Sequence, residues 1–354
     1  MNTPSTVAEL ADIIASSPRV LAVGARTKPA LSQVDATLVS TCGLSGIVEY
    51  DPSEFTFTAQ AGTPLREIIA TLAARGQYLP FDPPLAESGA TIGGTVAAGL
   101  SGPGRFRYGG LRDFILAVRF LDGHGTHMRG GAKVVKNAAG FDIPKFFVGS
   151  LGRFGVMTEV TFKVFPRPPA QMTFGIPCAN AAEAVAHISK AASGRWEFDA
   201  LDYSASRILA RIRGPHQALE RIAADIAKHW PTAARVADEV WREIDELGFA
   251  KGTAFLARVP MTLARLADLE NALRPIGAQF HLTGGGSVAY VFSRDGMSVK
   301  KTLGELGLRG ISLVDSGRNS TLGKNFHLKI EESLKRAFDS TDKFPPLPPA
   351  STDR

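Results

Sequence analysis

Two short stretches carry residue types that suit anion binding through backbone amides. The first is Gly24-Ala25-Arg26-Thr27-Lys28-Pro29, which follows the apolar run from Arg19 to Val23. A strand that opens into such a turn directs consecutive N–H groups at an anion, and the side chains of Arg26, Thr27 and Lys28 add charge and a hydroxyl. The G-K-[ST] ending of a Walker loop is missing, so an ordinary tight turn is the alternative.

The second stretch runs from Ala86 to Asp113 and has hardly a bulky residue between Ile92 and Phe106. Glycine permits close approach of the backbone to a ligand but raises the entropic cost of ordering. We therefore expect a phosphate or a flat ring to lie against this segment, which cannot itself fill a core. A flexible surface loop is the alternative. Its eight glycines are Gly89, Gly93, Gly94, Gly99, Gly102, Gly104, Gly109 and Gly110.

Two later segments share this composition. Lys136-Asn137-Ala138-Ala139-Gly140-Phe141-Asp142 is followed by Gly149-Ser150-Leu151-Gly152-Arg153-Phe154-Gly155-Val156, after which the chain alternates as a strand as far as Phe165. Arg167-Pro168-Pro169 then has the composition of a linker between domains.

The overall composition is that of an ordinary globular protein. The 354 residues carry a net charge of +6, with a pI near 9.4 and a mean hydropathy of +0.02. Basic residues are scattered among acidic ones without aromatic interleaving, so we expect no nucleic-acid partner. An anionic cofactor, an acidic partner subunit and an anionic membrane surface explain the charge equally well.

Cysteine usage and apolar runs set the expected compartment. Cys42 and Cys178 are too few and too far apart for a disulfide framework, and we expect both to be buried or half-buried. No apolar run has the length of a membrane span, and Glu9 and Asp12 argue against a signal peptide. These features predict a cytoplasmic protein, with the inner face of the membrane as an open alternative.

The first half of the sequence predicts an α/β domain. Thr6 to Glu9 form a capping box for a first helix, and strands are expected over 47–50 and 55–59. Thr63 is the predicted N-cap of a second helix that Gly76 ends. Strands over 114–121 and 126–129 form a hairpin whose turn holds His124 beside His127. Without a carboxylate partner in sequence, we expect these histidines to be exposed and no metal to be bound.

The second half predicts a different domain. Strands over 172–176, 198–203 and 207–213, helices lined by Leu219 and Leu266, and strands near Gln279 and Ala289 indicate α+β structure on one antiparallel sheet. Gly284 to Gly286 fit a turn between strands. The expected division is a glycine-rich first domain over 1–169, a second, α+β domain over 170–326, and a C-terminal helix and tail over 327–354 that return to the first domain.

Taken together, the motifs resemble the FAD-binding domain of the vanillyl-alcohol oxidase type, also called the p-cresol methylhydroxylase (PCMH) type. The resemblance covers about Pro4 to Pro169 and rests on four motifs in order: the turn after Val23, A-T-I-G-G-T-V-A-A-G-L with R-Y-G-G-L-R-D, K-N-A-A-G-F-D, and G-S-L-G-R-F-G-V-M-T-E. A Rossmann fold is the rival, but no G-x-G-x-x-G follows the first strand.

The resemblance implies two small α/β subdomains that hold an extended FAD. The turn after Val23 would bind the pyrophosphate, 91–102 would pass along the ribityl chain and rings, 107–109 would form a strand-like return beside the flavin, and 149–156 would contact the adenosine end. The residues implied in cofactor binding are Val23, Gly24, Ala25, Arg26, Thr27, Lys28, Pro80, Thr91, Ile92, Gly93, Gly94, Ala97, Gly99, Leu100, Gly102, Tyr108, Gly109, Gly149, Gly152, Gly155 and Val156.

Departures from the family pattern qualify the chemistry. Members that tether FAD covalently carry histidine or cysteine near the first turn or the glycine stretch, and this chain has neither there, so non-covalent FAD is expected. His281 and the following G-G-G-S do not supply the metal-binding histidine motif of relatives that oxidise 2-hydroxy acids, and Phe344-Pro345-Pro346 only partly matches their F-N-P-G-[KR] ending. No histidine is placed as a general base.

Within the family, the motifs imply an FAD-binding subunit of a glycolate (2-hydroxy acid) oxidase or dehydrogenase complex. Its expected partners are a second flavoprotein subunit and an iron–sulfur subunit that drains electrons toward quinone, with peripheral membrane association through the complex. Two alternatives stay open. One is a self-sufficient FAD-dependent oxidase of another hydroxy acid or alcohol, and the other is a non-catalytic assembly subunit.

Overall fold

The fold is described from a computed structural model, which describes residues 1–132, 142–317, 320–323 and 328–346. Most of the K-N-A-A-G-F-D motif therefore lies outside the described residues. Within them, helices α1 to α11 span Val7–Ser16, Leu65–Ala73, Ile92–Ala98, Arg105–Tyr108, Ile143–Phe147, Ala181–Ser193, His216–His229, Val240–Asp245, Leu266–Leu273, Gly296–Glu305 and Leu328–Phe338.

The strands are numbered in the same way. Strands β1 to β9 span Val20–Val23, Thr37–Ser40, Ile47–Asp51, Thr56–Gln60, Gln77–Tyr78, Ile115–Leu121, His127–Gly131, Val156–Lys163 and Phe165–Pro166. Strands β10 to β18 span Ala170–Pro177, Ala200–Ser204, Arg207–Gly214, Ala234–Val236, Phe255–Pro260, Gln279–Thr283, Val288–Ser293, Gly310–Val314 and Thr321–Leu322.

The chain divides into two compact units. Unit 1 contains Met1–Leu100, Gly110–Pro166 and the described residues within Asn325–Pro349. Unit 2 contains Ser101–Gly109 and the described residues within Arg167–Lys324. In this division the chain passes from unit 1 to unit 2 after Pro166. Part of the long glycine-rich stretch, Ser101–Gly109, also belongs to unit 2.

Unit 1 is built on an antiparallel sheet in the order β3-β4-β8-β6-β7, with a separate parallel pair β1-β2. The predicted hairpins over 47–59 and 115–131 are confirmed. Thr6 caps α1 as expected, since its Oγ1 accepts from the Glu9 amide at 3.1 Å. The predicted cap at Thr63 is wrong. Its hydroxyl donates to carbonyl oxygens, at 2.7 Å to that of Gln60, so it ties the helix entry to the preceding turn.

The glycine-rich stretch also departs from expectation, because part of it is a core helix. In α3, Ile92 and Val96 are fully buried, and Thr91 caps the helix by accepting from the Gly94 amide at 3.2 Å. Gly99 ends the helix with φ of +63°, a left-handed conformation that favours glycine. The small residues thus bring a helix into close contact with neighbouring backbone.

The C-terminal segment is anchored in unit 1. Phe344 is fully buried in a cluster with Leu10, Ile14, Val20, Val39, Leu44, Leu121 and Val156. The buried Asp339 carboxylate accepts from the Lys343 and Phe344 amides at 2.8 Å each. The Lys335 ammonium donates to that carboxylate and to the Phe344 carbonyl. These contacts hold the C-terminal segment on the core of unit 1.

Unit 2 contains one antiparallel sheet in the order β13-β10-β12-β11-β15-β16-β14-β17-β18, as the sequence predicts. Its two halves meet between β11 and β15, where a single register pair, Tyr203 opposite Leu282, joins them. Helices α6, α7, α9 and α10 contribute to the core on one side of this sheet.

Two local expectations are wrong. Residues 107–109 are no strand-like return, because Arg105–Tyr108 form the short helix α4, which ends at Gly109 with φ of +85°. Cys42 is exposed, because it lies in a short 3-10 turn at the surface, whereas Cys178 is buried as expected. Among the described residues, no helix has both the length and the apolar character needed to cross a membrane.

The C-terminal anchor predicts a large effect of one substitution. Phe344→Ala removes a fully buried ring and leaves a cavity, so the free energy of unfolding should fall by about 3–5 kcal/mol. Urea denaturation of the full chain measures this. Met297→Ala, at a residue that is 78% exposed, is the control and should change stability by less than about 0.5 kcal/mol. Equal effects of the two changes would contradict the anchor.

Candidate functional site

A cleft in unit 1 collects most of the small residues that the sequence singles out. It has a volume of about 510 Å³, part of which is open to solvent. A narrower cavity of about 320 Å³ shares several of its walls. The cleft is lined by Leu21, Ala22, Val23, Gly24, Ala25, Arg26, Thr27, Lys28, Leu31, Ser32, Thr91, Gly94, Ala97, Ala98 and Leu151.

The turn after β1 presents consecutive unpaired amides to this cleft. Among the described residues, the N–H groups of Ala25 to Lys28 make no hydrogen bond. Arg26 has φ of +56°, which is uncommon for a residue with a side chain. Such a run of backbone donors forms a concave site for an anion, which supports the anion-binding interpretation of the turn over an ordinary tight turn.

Lys28 adds a buried cation to the same turn. Its side chain is 9% exposed, and its ammonium donates to Thr27 Oγ1 at 2.9 Å. No carboxylate pairs with it within the described part of the chain. Burial lowers the pKa of Lys28 to about 8. An anion in the cleft would restore the charged form of this lysine.

Helix α3 approaches the turn so closely that side chains are excluded. A Cβ atom on Gly24 would lie 2.2 Å from Thr91 Oγ1, and one on Gly93 would lie 2.7 Å from the Ala61 Cβ and carbonyl oxygen. The Gly93 amide also donates to the Ala61 carbonyl at 2.8 Å. Glycine is required at both positions because these neighbours leave no room for a Cβ atom.

The G-S-L-G-R-F-G segment contributes to the walls of both cavities of unit 1 and contains a second buried cation, Arg153. Leu151 lines the cleft, and Gly152 and Gly155 line the narrower cavity. Arg153 is 1% exposed, yet within the described residues none of its three guanidinium nitrogens has a hydrogen-bond partner, and the Ser150 hydroxyl also lacks one there. Burial lowers the pKa of Arg153 to about 10. Unit 1 thus holds two buried cations without a counterion among its described residues, and of these Lys28 lines the cleft.

Some of the residues predicted to bind the cofactor lie elsewhere. Ile92, Leu100 and Val156 are buried in the core, and Pro80 is buried in the turn after β5. Gly99 and Gly149 pack on each other, since a Cβ on Gly99 would lie 3.2 Å from the Gly149 Cα. Gly102, Tyr108 and Gly109 belong to unit 2. The predicted residues at the two cavities are Val23 to Lys28, Thr91, Gly93, Gly94, Ala97, Gly152 and Gly155.

Other lining residues were missed by sequence reasoning. Leu151, Ala98 and Met157 lie inside quoted motifs and could have been found there, whereas the others are apolar or small residues that the fold brings to the two cavities. These others are Leu21, Ala22, Leu31, Ser32, Thr41 and Ala61. The hairpin histidines are exposed, with His127 Nε2 2.9 Å from Thr158 Oγ1. The described residues contain no group of three or more metal-ligating side chains.

Lys28 predicts a pH dependence of anion binding. Below pH 8 the ammonium is charged and affinity for ADP should be constant, whereas above pH 8 binding must recapture a proton and should weaken by up to about tenfold per pH unit. Isothermal titration of the flavin-free chain between pH 7 and 9.5 measures this. Lys28→Met should bind ADP more weakly at pH 7 and lose the slope. An identical slope in both proteins would contradict this role of Lys28.

Arg153 predicts a gain in stability. Arg153→Met replaces an unpaired buried charge by an apolar chain, so the free energy of unfolding of the ligand-free protein should rise by about 1–2 kcal/mol. Arg119→Met is the control, since Arg119 is half-exposed and pairs with Glu159 at 3.4 Å, and it should change little. Chemical denaturation measures both. A loss of stability in Arg153→Met would show that the guanidinium is satisfied in the ligand-free protein.

Comparison with known proteins shows what the part of the chain that contains this cleft is similar to. A family model described as FAD binding domain matches residues 2–131. Glycolate oxidase subunit GlcE of Escherichia coli (strain K12) is 50% identical over 128 residues, which cover 36% of this chain and 37% of that protein. D-lactate dehydrogenase of Anaerostipes hadrus is 31% identical over 168 residues, 47% of this chain and 35% of that protein.

Glycolate oxidase subunit GlcD of Bacillus subtilis (strain 168) is 32% identical over 130 residues, 37% of this chain and 27% of that protein. The matched segments thus span about a third of the length of these curated relatives.

Solved structures extend the likeness in fold over nearly the whole chain. Two structures of alkyldihydroxyacetonephosphate synthase have a TM-score of 0.69 each, at 16% and 17% identity, and cover 96% of this chain and 75% of theirs. At this identity the likeness concerns the fold alone, and it confirms the expected PCMH-type α+β fold. Over residues 2–131, the chain is similar to the family of FAD binding domains.

Proposed function

We propose that this protein is the FAD-binding subunit of an oxidoreductase that oxidises a small 2-hydroxy acid, with glycolate as the expected substrate. The observation that carries the proposal is the cleft of unit 1, where unpaired amides and a buried Lys28 that pairs with no carboxylate of the described residues match the diphosphate of FAD. Likeness to subunits named for glycolate oxidase supports the substrate class.

The cleft residues fit an extended dinucleotide by this chain's own chemistry. The amides of Ala25 to Lys28 would donate to the phosphates, and the Lys28 ammonium would balance one of their charges. Gly93 and Gly94 keep the opposing wall free of side chains, so that a flat or extended group can lie against the backbone. Bound FAD would supply the redox chemistry by taking up the electrons of the hydroxy acid.

Non-covalent attachment follows from the residue types at the site. The residues that line the two cavities include no histidine and no cysteine, the side chains that tether flavins in the family, and no metal ligand cluster accompanies them among the described residues. Retention of FAD would therefore rest on hydrogen bonds, charge and packing. Release of the cofactor on denaturation is the corresponding expectation.

Partner subunits complete the proposed function. Relatives of this chain are named as separate subunits, GlcE and GlcD, which supports assembly with a second flavoprotein subunit, and we propose that an iron–sulfur subunit accepts the electrons. Because no histidine of the sequence is placed as a general base, we propose that a partner subunit abstracts the proton. The complex would work on the cytoplasmic side of the membrane.

The first experiment is an absorption spectrum of the purified chain before and after acid precipitation, followed by glycolate under anaerobic conditions. Yellow protein that releases FAD and stays oxidised with glycolate is the expected result. Bleaching by glycolate in the isolated chain would indicate a self-sufficient oxidase instead. Colourless protein that cannot be loaded with FAD would favour a non-catalytic assembly subunit and overturn the proposal.

A matched pair of glycine variants links this result to the cleft. Gly24→Val places side-chain atoms where Thr91 Oγ1 already lies, so FAD should be lost or bound at least tenfold more weakly. Gly304→Ala is the control, because a Cβ there meets nothing within 4 Å, and it should retain FAD. Thermal unfolding of both variants checks that the fold persists. Unchanged FAD affinity in Gly24→Val would place the cofactor elsewhere.

A further inference from the structure

A third cavity lies wholly within unit 2 and is lined by residues that the proposed function does not use. Its volume is about 860 Å³, including the part open to solvent, which leaves room for a ring-sized molecule. It lies where β11 and β15 separate after their single register pair. The lining residues are Ser204, Ala205, Phe249, Glu270, Leu273, Arg274, Ala278, Gln279, Phe280, His281 and Phe292.

The cavity contains one half of a buried histidine–aspartate pair. His281 is 2% exposed and Asp202 is 0% exposed, and His281 Nε2 lies 2.8 Å from Asp202 Oδ2. The other carboxylate oxygen accepts from Thr283 Oγ1 at 2.8 Å and from the Gly284 amide at 3.2 Å. Asp202 is thus fully held by three donors, which fixes its position and that of the imidazole.

The pairing decides which imidazole nitrogen carries a proton. A carboxylate only accepts hydrogen bonds, so Nε2 of His281 is protonated, and in the neutral ring Nδ1 is left as an acceptor. Within the described part of the chain, Nδ1 makes no hydrogen bond. The ring therefore offers a bare acceptor in a cavity wall.

The other walls are mainly aromatic. The Phe249 ring stacks on the His281 ring with centroids 4.5 Å apart and an interplanar angle of 9°. Phe292 lies 5.5 Å from Phe249, and Phe280 also lines the cavity. Aromatic walls of this kind favour another ring through offset or edge contacts.

The charged residues at the cavity balance each other. Glu270 and Arg274 belong to one helical turn, and their side chains lie 3.7 Å apart. With one charge of each sign paired at the wall, the cavity has no excess cation for a carboxylate ligand. A neutral ligand is favoured, in contrast to the anion cleft of unit 1.

We propose that unit 2 contains a binding site for a neutral aromatic ligand with a hydroxyl group, which donates its hydrogen bond to Nδ1 of His281. Phe249, Phe280 and Phe292 hold the ring, and Asp202 acts as a positioning residue that selects the tautomer of the neutral imidazole with its proton on Nε2. The ligand proposed here is a different one from the small hydroxy acid of the proposed function, and this inference does not rest on that function.

The test compares phenol, anisole and benzaldehyde as probes of the purified full-length chain by isothermal titration. Phenol donates a hydrogen bond, whereas the other two only accept. Wild-type protein should bind phenol about tenfold more tightly than either, the difference that one well-formed hydrogen bond makes. The ¹⁵N signal of His281 Nδ1 should move on addition of phenol and stay in place with anisole.

Asp202→Asn inverts the expected preference. The amide oxygen still accepts from Thr283 and Gly284, but its NH₂ donates to Nε2, so the imidazole proton moves to Nδ1. Nδ1 then donates, and benzaldehyde should bind more tightly than phenol. If the His281–Asp202 pair had only a structural role, Asp202→Asn would lower the free energy of unfolding without inverting the order of affinities for phenol and benzaldehyde.

Two further variants keep the test decisive if Asp202→Asn folds poorly. Ser204→Leu narrows the cavity at its edge and should weaken all probes, while the ¹⁵N signal of His281 without probe stays unchanged. His187→Gln is the control, because His187 lies outside the cavity and accepts from Trp230 Nε1 at 3.1 Å. Absence of phenol binding in wild-type protein, or equal affinity for phenol and anisole, would overturn the proposal whether or not the chain binds FAD.

Discussion

The packing of unit 1 depends on glycines at positions where a neighbouring residue leaves no room for a side chain. Gly24 lies against Thr91, Gly93 against Ala61 and Gly99 against Gly149, with hypothetical Cβ atoms only 2.2 to 3.2 Å from these neighbours. Larger residues would push α3 away from the turn after β1 and from the segment that follows Val148. The entropic cost of ordering so much glycine is offset by the helix that it forms and by the apolar residues that this helix buries. The cleft is what remains between these contacts, so its shape is a consequence of core packing.

The buried charge of Lys28 distinguishes this cleft from an ordinary gap in the packing. The buried ammonium of Lys28 lines the cleft and has no counterion in the described part of the chain, and burial lowers its pKa. In a protein without ligands such groups cost stability, and they persist where an anion compensates them. Destabilisation of the empty site and affinity for the ligand therefore have the same cause. The C-terminal anchor shows the opposite arrangement, because Lys335 and Asp339 satisfy each other within the chain.

The sequence predicts elements better than it predicts contacts. Hairpins, capped helices and the antiparallel sheet of unit 2 follow from alternation, turn residues and caps, which are local signals, and these predictions are confirmed. Thr63 has the right residue type for a cap, but tertiary contact with Gly46 and Gln60 uses its hydroxyl instead. Composition misled for Ile92 to Ala98, because glycine and alanine at helical spacing allow close packing and hide a core helix. The assignment of Tyr108 and Gly109 to the cofactor site stays a prediction, as does that of the other residues taken from the resemblance.

The cleft of unit 1 and the cavity of unit 2 differ in how far they can be predicted from the sequence. The cleft of unit 1 is bordered by consecutive residues in short motifs, so its ligand class is readable from types and spacing. The cavity of unit 2 arises where strands from distant parts of the chain diverge, and His281 and Asp202 are 79 residues apart. Neither residue has a local signature, and His281 appeared in the sequence only as a departure from a metal-binding motif. Its partner is identified by sheet pairing, because β11 and β15 are brought together by one register pair and then separate. The chemistry of that histidine is thus set by topology, which local sequence patterns do not encode.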